Sequence, residues 1–256
     1  MSIVEKGAAL RALHTDPPLL TLVNVWDVAS ARVVAAHPRT RAIATASHAI
    51  AAAFGYDDGE RIPLELHLAT VERIVASTTL PVTADLEAGY GDPAATVRRA
   101  IDVGVVGANL EDELRPLAAA SAAVAAAVEA ADAAGVPFSL NARTDAFLRA
   151  EGRGRAESLA DAITRGRAYL AEGATCVFVP GVLDEPEVRE LVAAFGPGRL
   201  SVLAAPGSLP LPVLAALGVA RVSFGPWPQR AALTALDRLV DEVADDGLPV
   251  GIRPLV

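Results

Sequence analysis

The sequence predicts an α/β protein folded as a closed (β/α)₈ TIM barrel, a single domain over residues 1–256. Three observations carry this reading. Short apolar runs alternate with longer stretches of helical spacing, an order that implies a parallel sheet clothed in helices. Eight such units can be counted along the chain. The length of 256 residues matches the roughly 250 that a barrel of eight units needs. An open doubly wound sheet is the competing architecture.

The first strand is read at Thr21–Val25, before a helix over Ala29–Ala36 that Asp27 is placed to cap. Ala42–Thr45 is the second strand. An acidic turn, Phe54-Gly55-Tyr56-Asp57-Asp58-Gly59-Glu60, separates it from a helix over Leu64–Ser77. Val82–Asp85 is the third strand, and Asp92-Pro93 starts the helix Pro93–Val103 with an N-cap and a first-turn proline. Gly107–Glu111 leads to the Ala-rich helix Ala118–Ala134. Phe138–Asn141 leads to Ser158–Glu172 through Arg149–Arg155, which reads as a mobile loop. Cys176–Val179 with Glu185–Phe195, Ser201–Ala204 with Leu211–Leu217, and Arg221–Ser223 with Pro228–Asp245 complete the set. Gly104, Gly135, Gly173 and Gly218 each stand between a helix and the next strand, where a left-handed glycine ends a helix.

Composition narrows the function classes. Apolar residues make up 52% of the chain, ample for a large core. The 31 acidic residues outnumber 22 basic ones, a formal charge of -9, which argues against a nucleic-acid partner. No polybasic cluster suggests a membrane surface, and no apolar run reaches the roughly 20 residues of a spanning helix. No signal peptide is evident, so a cytoplasmic protein is expected. The one cysteine, Cys176, lies in an apolar strand and reads as a core residue. His14, His37 and His67 read as surface residues on or near helices. Neither a dinucleotide fingerprint nor a P-loop is present. The apolar final helix Arg230–Val243 and the tail Leu248–Val256 suggest a homo-oligomer, dimer or tetramer.

In a barrel, chemistry belongs at the C-terminal ends of the strands. Polar residues concentrate there: Asn24 to Asp27, Thr45 to His48, Asp85 and Glu87, Asn109 to Glu113, and Asn141 to Asp145. Alternate residues of a strand share a face, so Asp85 and Glu87 are expected to converge. Adjacent anions are costly without a cation, and oxygen ligands suit a hard ion such as Mg²⁺, with Mn²⁺ the second candidate. Helix capping explains Asp27 and Asp92, but it does not explain Asp85, Glu87 or Glu111, which core packing disfavours. Arg143 is the strand-end cation near these acids, able to grip a carboxylate at two points or to pair with Glu111 or Asp145. His48 follows the second strand, near the presumed pocket. Asp57 and Asp58 form turns, and one of them would reach a metal-bound water if this loop folds over the mouth.

Taken in order, these motifs resemble the isocitrate lyase/phosphoenolpyruvate mutase superfamily. They are Asn24-Val25-Trp26-Asp27-Val28-Ala29-Ser30-Ala31-Arg32, Ser47-His48-Ala49, Gly55-Tyr56-Asp57-Asp58-Gly59, Asp85-Leu86-Glu87-Ala88-Gly89-Tyr90-Gly91, Leu110-Glu111-Asp112 and Asn141-Ala142-Arg143-Thr144-Asp145. The resemblance covers at least residues 20–150. It implies a barrel that binds Mg²⁺ and a small 2-oxo or 2-hydroxy carboxylate, and chemistry that passes through an enolate. By similarity Asp85 is the direct metal ligand, while Glu87, Glu111 and Asp58 hold the metal's waters. Ser47 and the amides of His48 and Ala49 grip the substrate carboxylate and enolate oxygen, and Arg143 binds the other end. Trp26 and Asn141, within the same motifs, are further candidate substrate contacts. One departure matters. Family lyases carry a gating loop with a catalytic cysteine after the fourth strand, and the mutases carry Lys and Asn there. Here Glu113-Leu114-Arg115-Pro116-Leu117 runs straight into a helix, with no Cys, Lys, His or Asn from 114 to 136. His48, Tyr56 or a metal-bound water are the candidates for proton delivery, and Arg115 the candidate substitute for the lid. The expectation is a Mg²⁺-dependent lyase that cleaves or decarboxylates such an acid. P–C hydrolysis or mutation of a phosphonopyruvate-type acid, and metal-dependent carboxylate binding without catalysis, are the alternatives.

Overall fold

The computed structural model describes residues 1–16, 19–150 and 152–244. A parallel sheet curls into a nearly closed barrel. Its strands are β1 (Leu20–Leu22), β2 (Asn24–Val25), β3 (Ile43–Thr45), β4 (Val82–Asp85), β5 (Gly107–Glu111), β6 (Ser139–Arg143), β7 (Cys176–Val179), β8 (Leu200–Leu203) and β9 (Arg221–Ser223). The predicted first strand is broken at Val23 into β1 and β2. Its first half pairs with β9 and its second with β3, so this one segment closes the ring. Asn24 staples the seam: its side chain donates to the Thr45 carbonyl and accepts from the amides of Phe224 and Gly225.

Outside the ring lie α2 (Val28–Ala35), α4 (Leu64–Ala76), α5 (Pro93–Asp102), α6 (Leu117–Ala133), α7 (Arg155–Ala171), α8 (Glu185–Phe195) and α9 (Leu211–Ala216), close to the helices read from the sequence. Two helices add to that reading. Helix α1 (Ile3–Leu13) is started by a reciprocal Ser2–Glu5 capping box and crosses the barrel floor. A side chain at Gly7 would meet the Pro137 carbonyl at 2.8 Å, and Leu10 packs over Gly107. Helix α3 (Ser47–Ala53) begins two residues after β3 without a side-chain cap. Helix α10 (Trp227–Ala244) is tied to α3 by Gln229, whose amide donates to the Ala49 carbonyl. Beyond that anchor Leu233, Leu236, Val240 and Val243 are exposed. The tail Leu248–Val256 lies outside the described residues. No described helix is long and apolar enough to cross a membrane.

One expectation needs correction. His14 and His67 are buried, not on the surface. Burial favours their neutral forms and lowers both pKa values, that of His14 to about 4. Among the described residues of the predicted loop, Arg149 pairs with Glu113, Arg153 with Asp161 and Arg155 with Glu187. Cys176 is fully buried, as expected. Burial pushes its thiol up to about 12, so no thiolate is available from it near neutrality.

Candidate active site at the barrel mouth

Strand β4 delivers Asp85 to the mouth. Its amide is fixed by the Thr45 hydroxyl at 3.0 Å, and its Oδ2 accepts from the Ser47 amide at 3.1 Å and the Ser47 hydroxyl at 2.9 Å. The adjacent turn is left-handed at two non-glycine residues, Glu87 (φ 50) and Tyr90 (φ 51), and so is Glu60 (φ 62) of the acidic turn. Such backbone costs energy and persists only where its surroundings enforce it, which marks functional sites. Here the enforcement is mutual. Glu87 accepts from the Glu60 amide and from the Tyr90 hydroxyl, while the Glu60 carboxylate accepts from the Tyr90 amide. The acidic turn is thereby bound to the β4 loop. Glu87 lies past the end of β4, so this turn, rather than the pleat of a strand, brings it beside Asp85.

Parallel register sets Glu111 of β5 beside Arg143 of β6. Arg143 Nη1 lies 2.5 Å from Glu111 Oε2, and its Nε donates to Asp145 Oδ1 at 2.7 Å. Burial works against the charge of Arg143, yet Glu111 and Asp145 outweigh it and raise its pKa. Burial also drives Glu111 upward. Arg143 opposes that, while Asp145, Asp85 and Glu87 add to it. Glu87 is pushed up to about 7, first by burial and then by Asp85 and Asp58, against the pull of the Glu60 amide and Tyr90. Below these groups Asp112 forms a buried hub. It accepts from the amides of Leu114 and Asp145, from the Tyr169 hydroxyl at 2.6 Å, and from Arg165 at 3.2 Å.

Among the described residues no three of His, Cys, Asp and Glu stand close enough to cage an ion directly. The donor set, carboxylate oxygens alone, would nevertheless suit a hard cation that keeps part of its water. Asp85 repels Glu87, and both push Glu111 upward against Arg143; such a cation would offset that repulsion. This predicts a pH dependence. Glu87 has its pKa raised from 4.5 to about 7, so the folded, metal-free protein holds a proton that the unfolded chain loses. The associated stability is complete below pH 4.5 and is lost as pH rises through about 7. The metal-free thermal midpoint should therefore fall between pH 5 and 8 relative to a Glu87→Gln variant. The gain on adding Mg²⁺ should grow over the same range, because binding must expel the proton. Calorimetry across that range checks both.

The other predicted residues divide. Asp58 is half-exposed and pairs with His48 at 3.3 Å, which puts both on the rim. The amides of His48 and Ala49 precede the first α3 hydrogen bond, from Ile50 to Ala46, and so have no acceptor within the helix. Tyr56 is exposed on the acidic loop. Asn141 is fully buried and bonds with Asn109, Ser201 and Cys176, one layer below Arg143, so its side chain does not reach the mouth. Trp26 lines a groove of about 470 Å³ between α2 and α4, with Phe54, Leu66 and Arg73, outside the ring. Arg115 bonds to the carbonyls of Glu111 and Asp112 and locks the turn after β5 rather than reaching over it as a lid. The sequence reading named Thr45, Tyr90 and Asp112 within its motifs without giving them a supporting role, and it missed Tyr169. Only the long-range contacts of the fold reveal these roles.

Residues 10–244 match the family model described as phosphoenolpyruvate phosphomutase. An uncharacterised protein of Mycobacterium tuberculosis is 32% identical over 234 residues, covering 91% of this chain and 88% of that one. An oxaloacetate decarboxylase of Rhodopseudomonas palustris is 30% identical over 196 residues, 74% of this chain and 68% of that one. Among solved structures, a Burkholderia cenocepacia J2315 protein provisionally described as a phosphonomutase superposes with a TM-score of 0.88 at 43% identity, covering 94% and 99% of the two chains. Oxaloacetate acetylhydrolase bound to its product oxalate superposes with a TM-score of 0.86 at 25% identity, covering 97% and 91%.

Proposed function

The chain belongs to the phosphoenolpyruvate phosphomutase family of the isocitrate lyase superfamily, and on that premise we propose that it is a lyase that decarboxylates a small 2-oxo dicarboxylic acid, oxaloacetate first. The observation that carries this choice is the chemistry of the mouth. Cleaving a 2-hydroxy acid requires a donor to protonate the departing carbon. The turn after β5 is short and pinned by Arg115 and Asp112, and it offers no such donor. The protein's cysteine is buried. Decarboxylation needs no acid at the leaving group. The bond to the distal carboxylate breaks, CO₂ departs, and the electron pair becomes the enolate, whose carbon takes a proton from water afterwards. The similarity to an oxaloacetate decarboxylase supports the same choice.

Each residue then has a task. Asp85 would hold a divalent cation directly, with Glu87, Glu111 and Asp58 acting on its waters. When bound, that ion supplies Lewis-acid stabilisation to the 2-oxo oxygen. The amides of His48 and Ala49 are fixed donors for the charge that grows on the substrate's oxygens, and they need no reorganisation as it forms. Arg143 faces the distal carboxylate already paired with Glu111 and Asp145. That suits a carboxylate about to lose its charge, since a stronger grip would stabilise the ground state more than the transition state.

The test is a panel of oxaloacetate, 2-methylmalate and phosphonopyruvate with Mg²⁺, followed by pyruvate and inorganic phosphate release. Pyruvate and CO₂ from oxaloacetate, with the other two inert, is the expected result. Phosphate release from phosphonopyruvate would establish the P–C alternative. Tight oxalate binding without turnover of any member would establish a binding protein.

A further inference from the structure

Two guanidinium groups share one buried carboxylate at the mouth. Asp145 is fully buried. Its Oδ1 accepts from Arg143 Nε at 2.7 Å, and its Oδ2 lies 3.4 Å from Arg149 Nε. Asp145 is itself fixed by Asp112 through its amide, and the Arg149 amide donates to the Asp145 carbonyl at 2.8 Å. Arg149 is therefore anchored at its backbone beside Arg143. Its side chain is 47% exposed, and its second partner, Glu113, is 3.5 Å away. Glu113 is offered by an unusual turn: Glu113 (φ 49) and Leu114 (φ 54) are consecutive left-handed residues, neither of them glycine. Strain of that kind is retained where a position matters.

Arg143 is held by short, partly buried contacts, whereas Arg149 has only longer ones, one to the buried Asp145 oxygen and one, open to water, to Glu113. Exposed pairs of the latter sort are worth about 1 kcal/mol or less. A substrate anchored elsewhere in the site presents its distal carboxylate at high effective concentration and can displace Glu113. Among the described residues, no protein partner engages Arg143 Nη2 or Arg149 Nη1, so both remain available to an incoming anion.

We propose that Arg149 is a specificity-determining arm that joins Arg143 on the distal carboxylate of a dicarboxylic substrate, and that Glu113 occupies the arm until substrate arrives. This rests on the oxo-acid reading above. It assigns selection for a second carboxylate to a residue pair in the place where a gating loop is absent. The loose hold is suited to the chemistry: it steers and orients a carboxylate without over-stabilising the charge that decarboxylation removes.

Calorimetric affinities for malate, which carries the distal carboxylate, and oxalate, which lacks it, test the assignment in the presence of Mg²⁺. Losing one charge-assisted contact should weaken malate about tenfold in Arg149→Met and leave oxalate within about twofold. Glu113→Gln should act in the opposite direction and tighten malate by about threefold, because the arm is freed. Malate binding unchanged in Arg149→Met, or malate and oxalate weakened equally, would overturn the assignment, as would a wild-type protein that binds no malate. Because binding is read rather than turnover, a wild-type protein that binds malate but fails to decarboxylate oxaloacetate would refute the lyase reading alone.

Discussion

Asp85→Asn should lower kcat for oxaloacetate by about a thousandfold while the protein stays folded. The argument is local. On the proposed reading Asp85 is the carboxylate that touches the cation; its Oδ2 accepts from the Ser47 amide and hydroxyl, and its own amide donates to the Thr45 hydroxyl. Losing a preorganised electrostatic contact to developing charge costs roughly 10²–10³ in rate, and losing the ion itself costs at least that. Asparagine keeps the shape, and it removes one anion from a set whose members already repel one another. The thermal midpoint should therefore stay within a few degrees of wild type. Glu87→Gln should cost less, about 10–100-fold, because Glu87 acts through water and through the turn it fixes. Steady-state kinetics with a melting curve on each variant separates the two. A fully active Asp85→Asn protein would refute the site.

Arg143→Met should be the most destabilising single change at the mouth. It strands Glu111, which is almost fully buried, and leaves the fully buried Asp145 with only the longer contact to Arg149. Removing one partner of a buried ion pair typically costs 3–5 kcal/mol, because the remaining charge is left without compensation. At this chain length that is a drop of about 10 °C in thermal midpoint. The loss should shrink at lower pH, since Glu111 is already pushed upward and accepts a proton once its partner is gone. The double variant Arg143→Met/Glu111→Gln should recover part of the loss. Arg143→Lys should recover little, because one ammonium cannot bridge both carboxylates in the planar geometry that the guanidinium uses. Differential scanning calorimetry on the set checks the order. An unchanged midpoint in Arg143→Met would mean that Asp145 and Glu111 are compensated from elsewhere.

The barrel was legible because its signal is repetitive: each apolar run, helical stretch and glycine stop repeats the one before. What the sequence hid was mostly non-local. The break at Val23 arises from ring closure, where one segment must pair with two different strands. Helix α1 left a local trace in the Ser2–Glu5 capping box, yet its reason to exist is the open barrel floor beneath Gly107. His67 stands in an ordinary amphipathic helix pattern, and only the fold shows that its face turns inward.

The site shows the same division. Asp85 and Arg143 could be read from strand ends, because a charged residue after an apolar run has few structural excuses. The Asp85–Glu87 pairing was foreseen for the wrong reason: the pleat argument stops at Asp85, and a left-handed turn does the work. Asn141 misled because strand alternation places it on the inner face without saying how deep. In the fold it belongs to a polar layer with Asn109 and Ser201, below the chemistry.

In the proposed function the mouth carboxylates capture one divalent cation, with Asp85 as its direct ligand. Titration of the metal-free protein with Mn²⁺, monitored by electron paramagnetic resonance, tests it most directly. The account predicts one bound ion per chain, with an affinity that rises from pH 6 to pH 8 and a signal perturbed by added oxalate, all lost in Asp85→Asn. Absence of a stoichiometric site in the wild-type protein, or an Asp85→Asn protein that binds Mn²⁺ as tightly, would contradict it.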